Sequence, residues 1–126
     1  LPIHLSEITI SAPGGDERGE EIQAEIARNL YRLWFSLPDM AAITWWNVVD
    51  GCGLKGEPSN SGLFHRDMTP KLSFYALDEL INHEWKTSLE LKAGRDGTVR
   101  FRGFRGSYRI TYKNRRGKIV VLDTEL

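Results

Sequence analysis

The carboxylate of Glu7, near the start of the sequence, is a group that could do chemistry. It lies in LPIHLSEITI, residues 1–10, an aliphatic and β-branched run that a Ser-Ala-Pro-Gly-Gly segment follows, as is typical of a buried strand and a turn. A carboxylate fixed near the end of such a strand can act as a nucleophile or as a general acid or base. The same residue can also be a solvated glutamate, so both interpretations stay open on the residues alone.

A second apolar run of strand length, residues 41–49, contains the tandem Trp45 and Trp46 followed by Asn47. Because side chains alternate along a strand, the two indoles are expected on opposite faces, with Trp45 in the core. Cys52 is the single cysteine, which excludes an internal disulfide and makes a catalytic thiol a poor expectation.

Helical periodicity separates and follows these two runs. Between Asp16 and Phe35 a predicted buried stripe consists of Ile22, Ile26, Leu30, Leu33 and Trp34. A second helix is predicted after position 69, with Thr69 as N-cap and Pro70 in the first turn. Its predicted buried stripe consists of Phe74, Leu77, Leu80 and Ile81. The expected order is therefore strand, helix, strand, helix.

From Ser88 onward the apolar residues alternate with a period of two, which is typical of strands. Segment 94–97 contains two glycines and segment 114–117 contains one, and these residues suit turns between such runs. The tail therefore predicts a small antiparallel β module without helices, in which Val99 and Phe101 face inward and Arg100 and Arg102 face solvent.

The charge pattern also divides the chain. Residues 1–91 contain 7 basic and 14 acidic residues, whereas residues 92–118 contain 10 basic residues and one acidic residue. Such a break often marks a module boundary. Hydrophobic residues make up 40% and charged residues 27%, and no apolar run approaches the roughly 20 residues that span a bilayer, so neither disorder nor a membrane span is expected.

Two nearly continuous apolar strands, each followed by a helix, indicate parallel βα units buried on both faces. A closed barrel of this type needs eight strands and about 250 residues. The predicted fold class is therefore α/β: a C-terminal fragment of a (β/α)8 barrel at residues 1–87, followed by an antiparallel β module at residues 88–126. Whether the remaining barrel strands lie upstream in a longer protein stays open on this sequence.

Several short motifs, taken in this order and spacing, resemble the C-terminal part of family 10 glycoside hydrolases, the endo-1,4-β-xylanases. They are Ser6-Glu7, Gln23-Ala24, residues 34–38, residues 43–50, Thr69-Pro70-Lys71 and residues 101–108. The resemblance implies retaining hydrolysis of a xylan-type polysaccharide without a metal or organic cofactor. It also implies a secreted, periplasmic or cell-surface location.

The resemblance assigns roles to three residues. Glu7 corresponds to the nucleophile, and Trp46 and Asn47 correspond to part of the sugar site, where an indole suits the apolar face of a pyranose ring. Retaining chemistry needs a second carboxyl about 5 Å from the nucleophile. In the family that acid/base residue lies on the fourth strand, which has no counterpart here, so the isolated chain is predicted to be inactive.

Some positions depart from the family pattern. Asn47 replaces the glycine usual after the sugar-site tryptophan, Leu54 falls near a second tryptophan that many xylanases carry, and Thr9 replaces a frequent aspartate. These departures leave the substrate open. His4 precedes Glu7 by three residues, so alternation predicts that it faces the helices and is structural.

Other interpretations of the chain stay open. A non-catalytic carbohydrate-binding or protein-interaction module, in which Glu7 has no role, is the alternative to the hydrolase. On composition alone, the arginines of the β module suggest a nucleic-acid surface. Their alternation with apolar residues favours a solvated face instead. No nucleic-acid or membrane partner is therefore predicted. That basic face could instead dock on acidic helices or on glucuronate-bearing xylan. Uncovered sheet edges predict self-association.

Overall fold

Four strands and two α-helices make up the fold, which a computed structural model describes over all 126 residues. In chain order they are β1 (Ile3–Ile8), α1 (Glu17–Phe35), β2 (Met40–Trp45), α2 (Leu72–Asp78), β3 (Ser107–Lys113) and β4 (Ile119–Glu125). A 3-10 turn at Pro13–Gly15 precedes α1, and a π-helical turn at Glu79–Glu84 follows α2. The chain divides into a first unit, Leu1–His83, and a second unit, Glu84–Leu126. This division lies four residues before the predicted boundary at 87.

The predicted fold class is wrong, because the chain is not a fragment of a (β/α)8 barrel. It has two α-helices and two separate two-stranded sheets, one parallel (β1 with β2) and one antiparallel (β3 with β4). A barrel strand has a partner on each side and is covered on both faces. Here each strand has one partner, and Ile3 in β1 remains 42% exposed. The apolar runs predicted strands but did not determine how many neighbours each strand has.

Helix α1 begins at a capping residue and buries one narrow face. The Asp16 carboxylate accepts a hydrogen bond from the Gly19 backbone N–H at 2.8 Å, which satisfies one of the free donors of the first turn. The buried face repeats every four residues and consists of Gly19, Gln23, Ala27 and Tyr31. The predicted buried stripe is therefore wrong in part, since Ile26 and Leu33 are exposed.

Small residues allow α1 and α2 to pack closely. Ala12, Ala27 and Ala76 are almost completely buried where the two helices and the loop before α1 meet. The Gln23 amide reaches across this core and donates to the carbonyl oxygens of Ile10 at 2.7 Å and Gly62 at 3.3 Å. A buried glutamine thereby fixes two loop segments whose carbonyl groups would otherwise lack donors.

Helix α2 starts later than predicted. Its N-cap is Lys71, whose backbone is extended, and its first residue is Leu72. Thr69 instead lies in a turn, where its backbone N–H and its hydroxyl donate to the Asp67 carboxylate at 2.9 and 2.6 Å. The prediction of Thr69 as N-cap and Pro70 in the first turn is therefore wrong. None of the helices combines the length and apolar character that crossing a membrane requires.

The second unit contains one hairpin rather than a longer meander. Strands β3 and β4 pair in register from Ser107 opposite Glu125 to Lys113 opposite Ile119. Asn114 closes the turn by accepting hydrogen bonds from two backbone N–H groups through its side-chain oxygen. Residues 88–106 form no strand, and Val99 and Phe101 are exposed, so the predicted inward face does not form there.

Candidate functional site

The Glu7 carboxylate lies near the carboxyl end of β1, where the pairing with β2 is irregular. Leu5 pairs with Ile43, and Ile8 pairs with Trp45, so two residues of β1 stand opposite the single residue Thr44. This is the arrangement of a β-bulge, a feature that redirects side chains and is common beside active sites. The side chain of Glu7 is exposed, and no group within the chain engages it in a hydrogen bond or ion pair.

The irregular pairing also changes which residues share a face with Glu7. Trp45 turns toward α1, because its ring lies 6.4 Å from that of Tyr31. Ile8 pairs with Trp45, so Glu7, one residue before Ile8, lies on the opposite face. His4 lies on that outer face too, because its Nε2 is 3.0 Å from the hydroxyl of Thr44, the neighbour of Trp45 in β2. The prediction that His4 faces the helices is therefore wrong, since the extra residue in β1 breaks simple alternation.

Trp46 follows β2, and hydrogen bonds hold both its backbone and its side chain. Its backbone N–H donates to the Ile8 carbonyl oxygen at 2.8 Å, which places it beside the end of β1. Its indole Nε1–H donates to Glu57 Oε1 at 3.1 Å, and 38% of the residue is exposed. An indole fixed in this way presents a flat apolar surface to solvent.

Asn47 turns the chain after Trp46 into the loop that carries Glu57. Its φ is 61°, a left-handed conformation that asparagine tolerates better than most residues and glycine best of all. Its Nδ2 donates to Glu57 Oε2 at 2.8 Å. Asn47 therefore both turns the backbone and supplies a hydrogen-bond donor to Glu57.

Glu57 is the central residue of this loop, and sequence reasoning missed it. Besides the donors on Trp46 and Asn47, the Leu54 backbone N–H donates to its Oε2 at 2.8 Å. The hydrogen bond from Asn47, followed by those from Leu54 and Trp46, lowers the pKa of Glu57 below its usual 4.5, because each favours the charged form. The carboxylate therefore stays ionised in mildly acidic solution.

Gly53 makes room for this arrangement. A Cβ at that position would lie 2.7 Å from Glu57 Oε2 and 2.9 Å from Asn47 Nδ2. Real Cβ atoms do not approach polar atoms so closely, so any larger residue would displace one of the two partners. The name Glu57 cluster is used below for Trp46, Asn47, Gly53, Leu54 and Glu57.

A buried ion pair connects the two ends of the loop between β2 and α2. It joins Asp50, in the motif of residues 43–50, to Lys71, in the motif Thr69-Pro70-Lys71. Lys71, at the start of α2, is 1% exposed, and its Nζ lies 3.1 and 3.0 Å from the two carboxylate oxygens of Asp50. Asp50 Oδ1 also accepts from the Gly62 backbone N–H at 2.7 Å, and Lys71 donates to the Asn60 carbonyl at 3.3 Å. These contacts fix both ends of the loop between β2 and α2.

The site residues predicted from the sequence therefore lie at one end of the parallel sheet. Glu7 and Trp46 are at the ends of neighbouring strands, and Asn47 belongs to the Glu57 cluster. No group of three or more His, Cys, Asp or Glu side chains is arranged to hold a metal ion.

The second unit contains a separate groove of about 270 Å³. Its lining includes the apolar side chains of Leu89, Val99 and Phe101 beside polar ones such as Thr87 and Thr111. Its one charged lining residue, Arg109, is paired with Asp123 at 2.9 Å, and no carboxylate lines it.

Comparisons with known proteins give two partial similarities. No family model matches the chain. The anti-sigma-I factor RsgI6 of Acetivibrio thermocellus is 29% identical over 111 residues, which cover 88% of this chain and 14% of that protein. A solved β-glucuronidase of Faecalibacterium prausnitzii superposes with a TM-score of 0.49 and 26% identity over 63% of this chain and 15% of that one. The chain thus spans a small part of either protein.

Proposed function

We propose that the first unit supplies a nucleophile, Glu7, and a sugar-binding surface, Trp46 with Asn47, to a retaining glycoside hydrolase of xylan-type polysaccharide. The observation that supports this most directly is that an unengaged carboxylate on β1 and a fixed, exposed indole after β2 lie at the same end of the parallel sheet. A carboxylate nucleophile needs an oxygen that is free to attack, and the apolar face of a pyranose ring packs on a flat apolar surface. Because xylan is a polymer outside cells, the proposal includes a secreted or cell-surface location.

In this mechanism the Glu7 carboxylate attacks the anomeric carbon and forms a glycosyl ester while the bond to the leaving oxygen breaks. A second carboxyl, about 5 Å away, gives its proton to that oxygen. The same group then takes a proton from water, the water oxygen attacks the anomeric carbon, and Glu7 is released. The bulge in β1 would aim Glu7 outward from the sheet for this attack.

Glu57 is a poor candidate for the second carboxyl. Three N–H donors occupy its oxygens and lower its pKa, whereas an acid catalyst must hold a proton near neutral pH. Glu57 is therefore not expected to supply the proton, and the isolated chain is expected not to hydrolyse xylan.

A non-catalytic glycan-binding role is the second candidate. The similarity to an anti-sigma-I factor covers 88% of this chain, and the name of that protein denotes a regulator. A regulator needs ligand binding rather than turnover. In that case the Trp46 surface would bind sugar, and Glu7 would have no chemical role.

Covalent labelling separates the two candidates. An aryl xyloside with a strongly acidic leaving group and a 2-fluoro substituent needs no protonation in the first step, so the isolated chain can be tested with it. We expect a stoichiometric mass increase on Glu7, which Glu7→Gln abolishes and which Glu25→Gln, an exposed glutamate on α1, leaves unchanged. Binding of xylo-oligosaccharide without any labelling would favour the regulator. If the chain shows no labelling and no sugar binding, both candidates are contradicted.

A further inference from the structure

The Glu57 cluster combines a fixed indole with a negative charge that has no cationic partner. We propose that Glu57 positions Trp46 for sugar stacking and makes this subsite select an uncharged glycosyl unit over one that carries a uronic acid. The inference deepens the proposed function and rests on the binding of sugar at Trp46.

The positioning role follows from the number and origin of the hydrogen bonds. Both carboxylate oxygens are used: Oε1 accepts from the Trp46 indole at 3.1 Å, and Oε2 accepts from Asn47 and from the Leu54 backbone N–H, each at 2.8 Å. The three donors belong to Trp46, which follows β2, to Asn47, the next residue, and to Leu54 in the loop that carries Glu57. One side chain thus ties the indole to the loop, and the exposed ring is held in one orientation before any ligand binds.

The selectivity follows from the charge of the same group. Glu57 forms hydrogen bonds with neutral N–H donors and makes no ion pair, so its negative charge remains uncompensated beside the indole. A uronate on a sugar stacked against Trp46 would meet this charge at short range. Because both charges lie near solvent, their Coulomb repulsion is close to the water-like limit, which corresponds to a preference of about tenfold or less for the neutral sugar. Salt should reduce that preference, because both charges are near solvent.

Gly53 provides a way to disturb the geometry without removing the charge. Gly53→Ala would place a methyl group 2.7 Å from Glu57 Oε2 and 2.9 Å from Asn47 Nδ2, so one hydrogen bond must lengthen. Glu57→Gln has the opposite character, because it removes the charge and keeps the size of the side chain. Glu57→Gln also turns one of the two accepting oxygens into an NH2 group that faces an N–H donor, so it disturbs the position of Trp46 as well. A change in the ratio of the two affinities that appears in Glu57→Gln but not in Gly53→Ala therefore reports the charge.

The test uses NMR titration of the 126-residue chain. The indole N–H signal of Trp46, assigned with Trp46→Phe, reports both the Glu57 hydrogen bond and sugar binding. The ligands are a linear xylo-oligosaccharide and the same oligosaccharide with one glucuronic acid substituent. We expect the parent chain to bind the neutral ligand about tenfold more tightly at low salt. The preference should fall to about twofold or less in Glu57→Gln.

Gly53→Ala should weaken binding of both ligands severalfold and leave their ratio unchanged, and the exposed-residue control Glu17→Gln should change neither value. An unchanged ratio in Glu57→Gln would overturn this inference alone, because Glu7 labelling is independent of it. An unmoved Trp46 indole signal in Glu57→Gln would also overturn it. If the parent chain binds neither ligand, this inference and the sugar-binding part of the proposed function both fail.

Discussion

Removal of the Lys71 ammonium should destabilise the first unit strongly, because it leaves the Asp50 carboxylate with only the more distant His65 imidazole, at 3.9 Å, as a basic neighbour. Lys71 is 1% exposed and contacts both Asp50 oxygens, at 3.1 and 3.0 Å. In Lys71→Met the methionine side chain replaces the apolar stem of lysine at similar length. The loss of stability therefore comes mainly from the lost charge. Breaking a buried ion pair from one side costs about 3–5 kcal/mol.

The structure favours the lower end of that range. The Asp50 side chain is 17% exposed and retains the Gly62 backbone N–H at 2.7 Å, so water and this donor partly replace the lysine. The expected loss in the free energy of unfolding is therefore about 3 kcal/mol, or roughly a hundredfold in the unfolding equilibrium constant. Asp50→Asn should also be destabilising, since the buried ammonium then loses its counter-charge.

Urea unfolding of the whole chain, followed by tryptophan fluorescence, measures these losses, since three of the four tryptophans lie in the first unit. The double variant Lys71→Met with Asp50→Asn should lose less than the sum of the two single variants. Lys55→Met, an exposed lysine in the same unit, is the matched control. A loss below about 1 kcal/mol in Lys71→Met, or simple additivity in the double variant, would refute the ion pair as a stabilising element.

Two further predictions concern α1. Gly19→Ala should lower the urea midpoint, because the new methyl group would collide with the Pro13 carbonyl oxygen. The expected loss in the free energy of unfolding is about 1–3 kcal/mol. Helix propensity alone predicts a higher midpoint, so an unchanged or higher value would contradict the expectation. Burial raises the pKa of Tyr31 from 10.0 to about 12, so the folded chain keeps a proton that the unfolded chain loses. The free energy of unfolding should therefore fall as pH rises from about 10 to 12. The fall should be about 2 kcal/mol larger in the parent chain than in Tyr31→Phe. Equal losses in the two proteins would count against this role of Tyr31.

Local structure was largely predictable from the residues. The helix predicted between Asp16 and Phe35 is α1, because a capping aspartate and a periodic apolar pattern act within one segment. The turn at residues 114–117 follows from Asn114 and Gly117 in the same way. The buried face of α1 was less predictable, because its centre is Gln23, which is buried through hydrogen bonds to two distant loops.

Long-range features could not be derived from periodicity. The same alternation that produced β3 and β4 left residues 88–106 without a ladder, since a strand also needs a neighbour with free backbone groups. The extra residue in β1 reversed the face of His4, and a shift of one residue leaves no trace in an apolar pattern. Glu57 lies in a loop with no repeat, so only the folded chain brings it to Trp46.

The division into two units has a consequence for how the protein behaves in solution. Residues 1–83 carry 6 basic and 12 acidic residues, a net charge of −6, whereas residues 84–126 carry 11 basic and 5 acidic residues, a net charge of +6. The sum is zero near pH 7, so copies lack the mutual repulsion that keeps charged proteins apart, and opposite units of different copies attract. Moderate salt should therefore raise solubility rather than lower it, because it screens this attraction. The chain should also adsorb to ion exchangers of either sign at the pH where its net charge vanishes.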